Sequence, residues 1–329
     1  MNNKGSDSYK NIYMTTGFIC AFIGILLVVI VISLVVFGSF GKGSDVLDES
    51  SAPEISVPVV EESSVPEISE VEEETLASQI VFEQLVVNNL SVYEGKLAVI
   101  SAENAPAVPS DELYAFYKFG SEGSAYSLSG VRIKVREDAR TQFDAFLAAF
   151  SEAVPNTGLI IDKGYEKAED LSTSDLSGGY VDLASGYSVK FSLLSSNYNF
   201  SSTELAYLYE QAYKFGIIRR YSDNKETVTG FESNPRLYRY IGIAHTQYMS
   251  TYNLSLEEYI DVLKSSTEPR EYVSSLEDNT AYIVYYVPMS EGDDTTLVNV
   301  PADAARYPYD ISGDGSNGFI VTVKVSLSE

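Results

Sequence analysis

The sequence predicts an α+β fold, and three stretches carry that reading. Asp138 to Ala153 has a helical apolar period and leads into a strand-like segment, Gly158 to Asp162. Ala281 to Val287 is a β-prone run, and Phe319, Val321, Val323 and Val325 alternate with more polar residues. Met14 to Phe40 holds no charged residue, which sets one transmembrane helix ahead of the folded part.

The chain has 329 residues and a net charge of −25. With a membrane span and a linker set aside, roughly 240 residues remain, enough for one good-sized core. The negative charge excludes nucleic acid as a partner, because phosphate binding needs Lys and Arg. Cys20, the single cysteine, lies in the apolar run. No intrachain disulfide can form, so the fold stands on its core alone. With His245 as the single histidine, a structural Cys/His zinc site is excluded.

Residues 1–13 form a short polar tail with Lys4 and Lys10. The apolar run 14–40 is long enough to span a membrane, since about 20 residues rising 1.5 Å each cross a core of about 30 Å. It exceeds the roughly 7–15 apolar residues of a signal peptide, and no Ala-x-Ala cleavage pattern follows. It therefore reads as an uncleaved anchor. Lys4 and Lys10 before it, against Lys42 after it, place the N-terminus in the cytoplasm and the rest outside the cell membrane. Residues 41–78 are an acidic Ser/Pro/Glu linker in which Pro-Glu-Ile-Ser occurs at Pro53–Ser56 and again at Pro66–Ser69. Like charges and prolines keep such a segment extended.

The folded part divides into a domain at 79–265 and a β-rich C-terminal appendage at 266–329. Thr75 to Asn89 reads as a short helix leading in, on the strength of Leu76, Ile80, Val81, Leu85 and Val86. Lys96 to Ser101 reads as a strand. Val131, Ile133 and Val135 alternate as a half-buried strand does. Phe143, Phe146, Leu147 and Phe150 recur at i, i+3, i+4 and i+7, giving the helix one apolar face. Ser201-x-x-Glu204 opens a second helix with a capping box, and Gly216 stops it; Ser255-x-x-Glu258 opens a third. Val189 to Leu193 is a strand between them. Asp310 to Gly315 lacks the ligand spacing of a calcium loop and reads as a turn. The 25 tyrosines read as amphipathic residues at half-buried positions, with a sugar-stacking surface as the functional alternative.

Residues 228–242 read Val-Thr-Gly-Phe-Glu-Ser-Asn-Pro-Arg-Leu-Tyr-Arg-Tyr-Ile-Gly. This stretch resembles the zinc-site segment of VanY-type D-alanyl-D-alanine carboxypeptidases, which ends Glu-Pro-Trp-His-x-Arg-Tyr-Val-Gly. In that family the His is a zinc ligand and the Glu the general base. Pro235, Tyr238, Arg239, Tyr240 and Gly242 stand where expected; Asn234 stands at the Glu, Arg236 at the Trp and Leu237 at the His. Residues 181–190 resemble the segment Ser-Glu-His-x-Thr-Gly-Leu-Ala-x-Asp, which supplies the other two ligands. Leu183 stands at that His and Lys190 at that Asp, with the family spacing kept. Gly164-Tyr165-Glu166 resembles Gly-Tyr-Arg of a third segment, whose Arg grips the substrate carboxylate, so the charge is reversed.

The resemblance covers about residues 90–264. It implies a zinc D,D-peptidase-like domain, with helices on an antiparallel sheet, in the peptidoglycan-trimming class. At Leu183, Lys190, Asn234, Leu237 and Glu166 the chemistry is replaced: no ligand, no base, no clamp. The expectation is an extracytoplasmic pseudo-D,D-carboxypeptidase that holds no zinc and binds a cell-wall peptide or an envelope protein. Tyr165, Arg239 and Tyr240 are its candidate binding residues. Two alternatives stand beside it. One is an active carboxypeptidase with a non-standard metal site built from Asp182, Asp162 or His245. The other is a scaffold whose partner surface is the C-terminal appendage, Ser266 to Glu329.

Overall fold

The computed structural model describes residues 75–116, 127–130, 132–155, 159–193, 200–266 and 268–327. The anchor predicted at 14–40 and most of the linker lie outside the described residues. Among the described residues no helix is long and apolar enough to cross a membrane.

The apolar stripe of the first helix is used as its spacing demands. Helix α1, Glu137–Ala153, buries Phe143, Phe146, Leu147 and Phe150 completely. Each such side chain contributes about 1.5–3 kcal/mol of burial energy. The stripe lies on a mixed sheet built from β3 (Ser127–Leu128), β5 (Leu159–Lys163), β6 (Ser188–Leu193), β8 (Asn234–Tyr240) and β7 (Ile217–Tyr221), in that spatial order. β3 runs parallel to β5, and the other pairings are antiparallel. Two short strands, β2 (Leu113–Ala115) and β4 (Lys134–Arg136), pair beside the helix start.

Period-2 alternation divides this sheet into two chemistries. Val189, Phe191, Leu193 and Tyr238 face α1 and helix α3, Ser202–Gln211. Lys190 and Leu237 point to the other face. The predicted capping box of α3 is present, with Glu204 N–H donating to the Ser201 hydroxyl and Ser201 N–H to the Glu204 carboxylate. Gly216, at φ +72°, ends the turn that follows, and its Cα lies so close to the Gly242 backbone that a Cβ would sit 2.8 Å from it. Two short helices, α2 (Thr173–Ser177) and α4 (Glu226–Thr229), fill connections. Helices α5 (Ile243–Tyr252) and α6 (Leu256–Lys264) follow β8, and α6 carries the predicted Ser255–Glu258 box.

The C-terminal residues form an antiparallel sheet in the order β12 (Tyr309–Gly313), β13 (Gly318–Ser326), β10 (Thr280–Pro288) and β9 (Arg270–Val273). Both faces of its centre are covered. Tyr282, Val284 and Ile320 pack on α5 and α6 together with Met249, Tyr259 and Leu263. Ile283, Phe319, Val321 and Val323 pack under a two-stranded ribbon made of β1 (Phe82–Asn88) and β11 (Thr295–Pro301). β13 is therefore buried at nearly every position rather than half-buried as its alternation predicts.

Two other expectations are corrected. Thr75 to Asn89 is not a helix: a 3-10 turn, Ala77–Gln79, leads into strand β1. Leu85, Val86 and Val87 suit a ladder, and β11 supplies one from the C-terminal region. Lys96 to Ser101 is not a strand either. Its chain is buried at Leu97, Ala98 and Ile100, but the Lys96 and Ala98 carbonyls accept from the Arg239 guanidinium instead of a neighbouring strand. Residues from Glu70 onward form one unit, so β1 at the start and the C-terminal sheet are built together.

Candidate functional site

The sheet face opposite α1 is assembled around a 3-10 turn, Tyr180–Ser185, bounded by Gly179 at φ +79° and Gly186 at φ +76°. Only glycine enters that region without strain. The turn delivers Asp182 and Leu183 side by side against β6 and β8.

Leu183 and Leu237 are both fully buried and form one apolar cluster with Tyr221, flanked by Tyr180 and Phe231. The Tyr221 and Phe231 rings lie 4.8 Å apart. Lys190 is the register partner of Leu237. Its ammonium stands 3.0 Å from the Asp162 carboxylate and 5.0 Å from the Tyr180 ring centroid. The three positions that the resemblance pairs with zinc ligands thus converge on one spot. Leucine has no lone pair and a paired ammonium offers none, so this set does not fit zinc, which takes N, S or O⁻ donors. Asn234, at the position of the base, donates to the Gly178 carbonyl at 3.3 Å and accepts from Arg236 N–H at 3.0 Å.

Next to the cluster lies a buried ionic network. Asp182 accepts from Arg220 Nε at 2.9 Å, from Arg239 Nη1 at 2.7 Å and from the Ser188 hydroxyl. Arg220 grips Glu257 with its other two nitrogens at 3.2 and 2.7 Å. Burial alone would raise the Asp182 carboxyl, but the Arg239 and Arg220 guanidiniums outweigh it and hold the carboxyl below its usual range.

Tyr165 and Glu166 line an open cleft of about 350 Å³ with Asp162 and Arg132. Both are half-buried. Arg239 does not reach that cleft. It is fully buried, bound to Asp182 and to the carbonyls of Lys96 and Ala98, and it ties the 95–98 segment to β8. Tyr240 projects from the opposite face of β8 to Leu237 and lines another cleft. The three predicted binding residues are therefore not brought together. Arg239 matches the family pattern, but its partner on Asp182, Arg220, lies outside every motif of the sequence. The signal was present: two arginines adjacent in a β strand must point to opposite faces, and one of them must be inside.

The alternative metal site is not assembled among the described residues. Asp182 is saturated by arginines. His245 is buried, its Nδ1 2.9 Å from the Tyr259 hydroxyl and its Nε2 3.2 Å from the Thr322 hydroxyl. Burial, reinforced by Lys96, lowers its pKa to about 3, so the ring is neutral. No group of three His, Cys, Asp or Glu among the described residues is placed to hold a metal ion. Asp314 is a turn residue: its Oδ1 accepts from the Ser316, Asn317 and Gly318 amides, and Oδ2 meets Lys264 at 2.7 Å.

No family profile matches the chain. It is 28% identical over 254 residues to a D-alanyl-D-alanine carboxypeptidase of Enterococcus faecium, covering 73% of this chain and 79% of that protein. It is 27% identical over 217 residues to the putative carboxypeptidase YodJ of Bacillus subtilis (strain 168), covering 58% and 79%. Among solved structures it is similar to the vancomycin resistance D,D-dipeptidase VanXYg, crystallised with a D-Ala-D-Ala phosphinate analogue. That likeness has a TM-score of 0.56 at 19% identity, covers 74% of this chain and 99% of the other, and shows the fold. With the α+β D,D-peptidase-like architecture, these relationships make the chain a homologue of D-alanyl-D-alanine carboxypeptidases of the VanY type.

Proposed function

We propose that this chain is a membrane-anchored, extracytoplasmic pseudo-D,D-carboxypeptidase that binds cell-wall peptide without hydrolysing it. The observation that supports the reading is the packing of Leu183 and Leu237, which stand at positions that the resemblance pairs with zinc ligands, in one apolar cluster with Tyr221. Without a metal there is no water of lowered pKa, and the Asn234 amide does not take a proton. The cleft beside the cluster supports retained binding. Its Glu166 stands where the resemblance has the carboxylate-binding Arg, so a free peptide carboxylate loses that clamp and a C-terminal amide is favoured over it.

The test has two arms. The purified full-length protein, incubated with zinc and desalted, is expected to retain none by elemental analysis and to release no D-alanine from a stem pentapeptide. About one zinc per chain with D-alanine release would overturn the reading in favour of a live enzyme. In the second arm, a C-terminally amidated stem peptide is titrated against the free acid. Tighter binding of the amide is expected. No binding of either peptide moves the function to the second reading, a scaffold, which the filling of the ligand positions by Leu183 and Leu237 favours.

A further inference from the structure

A second cleft, of about 310 Å³, lies where the catalytic-type domain meets the C-terminal sheet. Lys96, Gln142 and Tyr240 line it from one side, and Glu277, Tyr282, Tyr309 and Lys324 from the other. His245 and Thr322, bonded to each other, lie in its wall. It is separate from the cleft of Tyr165 and Glu166, and Tyr240 points to it from the face of β8 opposite Leu237.

Its charges cancel in place. Of the charged residues that line it, Lys96 pairs with Asp310 at 3.6 Å and Lys324 with Glu277 at 3.1 Å; Asp138, 3.5 Å from Lys96, stands outside the lining. A charged ligand entering the cleft would compete with these pairs and gain little. An uncharged ligand would meet them as hydrogen-bond donors and acceptors. Three tyrosine rings supply apolar surface between these groups. Several polar groups in the cleft are also unspent: among the described residues, the Gln142 amide and the Tyr240 and Tyr309 hydroxyls have no hydrogen-bond partner. Aromatic faces, unspent hydroxyls and amide, and balanced charge are complementary to a molecule with an apolar ring face and an equator of hydroxyls.

We propose that this cleft binds a neutral saccharide, with Tyr240 and Tyr309 as ring contacts and Gln142 and the two ion pairs as partners of its hydroxyl groups. The cleft is at the small end of the roughly 300–1,000 Å³ range of ligand sites, which suits a mono- or disaccharide unit. The assignment goes beyond the peptide reading and gives the C-terminal sheet a role, since half of the lining comes from it.

The experiment is saturation-transfer difference NMR with the full-length protein in detergent micelles. The probes are N,N′-diacetylchitobiose and cellobiose. Saturation of sugar ring protons is expected for at least one of them. Tyr309→Ala should weaken binding about tenfold, the worth of one aromatic contact, and Tyr309→Phe should keep most of it. Gln142→Ala, at a half-buried position of α1, is the companion variant should the tyrosine change unfold the protein, and it should weaken binding severalfold. No saturation of either disaccharide, or full binding in both alanine variants, overturns the proposal. An amidated stem peptide should not compete with the sugar. Failure of peptide binding with the sugar signal intact would remove the first reading and leave this one standing.

Discussion

Lys190 and Leu237 are register partners across β6 and β8, and the Lys190 ammonium lies 3.0 Å from Asp162. A side chain without donors and a cation already engaged thus share the face where the family resemblance places two metal ligands. Restoring the donors is the direct test. In the triple variant Leu183→His, Lys190→Asp, Leu237→His, two carboxylates stand together unless a cation joins them, so the fold becomes zinc-dependent. About one zinc per chain and a melting temperature that rises with zinc are expected. A folded triple variant indifferent to zinc would show that these positions do not converge as described.

The Asp182 carboxylate holds Arg220 and Arg239 inside the protein. Asp182→Asn leaves two buried guanidiniums short of their counter-charge and should cost about 3–5 kcal/mol in urea unfolding at neutral pH. The sign with pH follows from its lowered pKa. The stability from Asp182 is complete above the unfolded value of about 3.9 and is lost as pH falls through the lower folded value. The variant should lose that part of the acid transition; an unchanged acid limb would contradict the assignment.

His245 gives a second, separable pH effect. Its pKa is lowered to about 3 by burial and then by Lys96. Below an unfolded value of about 6.5 the unfolded chain takes up a proton that the folded chain refuses. Stability therefore falls by about 1.4 kcal/mol per pH unit as pH drops from 6.5 toward 3. Because the chain has one histidine, His245→Gln should flatten the slope between pH 6.5 and 5, read by urea unfolding at half-unit intervals.

Gly179 lies against the apolar cluster. A Cβ built there falls 2.2 Å from Tyr221 Cε2, and φ is +79°. Gly179→Ala should destabilise by about 1–3 kcal/mol and displace Tyr221 from Leu183 and Leu237. Tyrosine near-UV circular dichroism, free of tryptophan because the chain has none, should change with it.

Local elements were legible in the sequence because their causes are local. The stripe from Phe143 to Phe150, the capping boxes at Ser201 and Ser255, and the stop at Gly216 each depend on residues within two turns of one another. Leu183, Lys190 and Leu237 were singled out by the family resemblance; that Lys190 and Leu237 face each other is the work of the β6–β8 pairing. Tertiary structure decided the rest. Phe82 pairs with Pro301 across more than two hundred residues, so nothing near Thr75–Asn89 could announce a strand. Arg239 and Tyr240 are sequence neighbours, yet one is bound to Asp182 in the interior and the other lines a cleft against the C-terminal sheet. A strand turns successive side chains to opposite faces, and what waits on each face is set by segments far away in the chain.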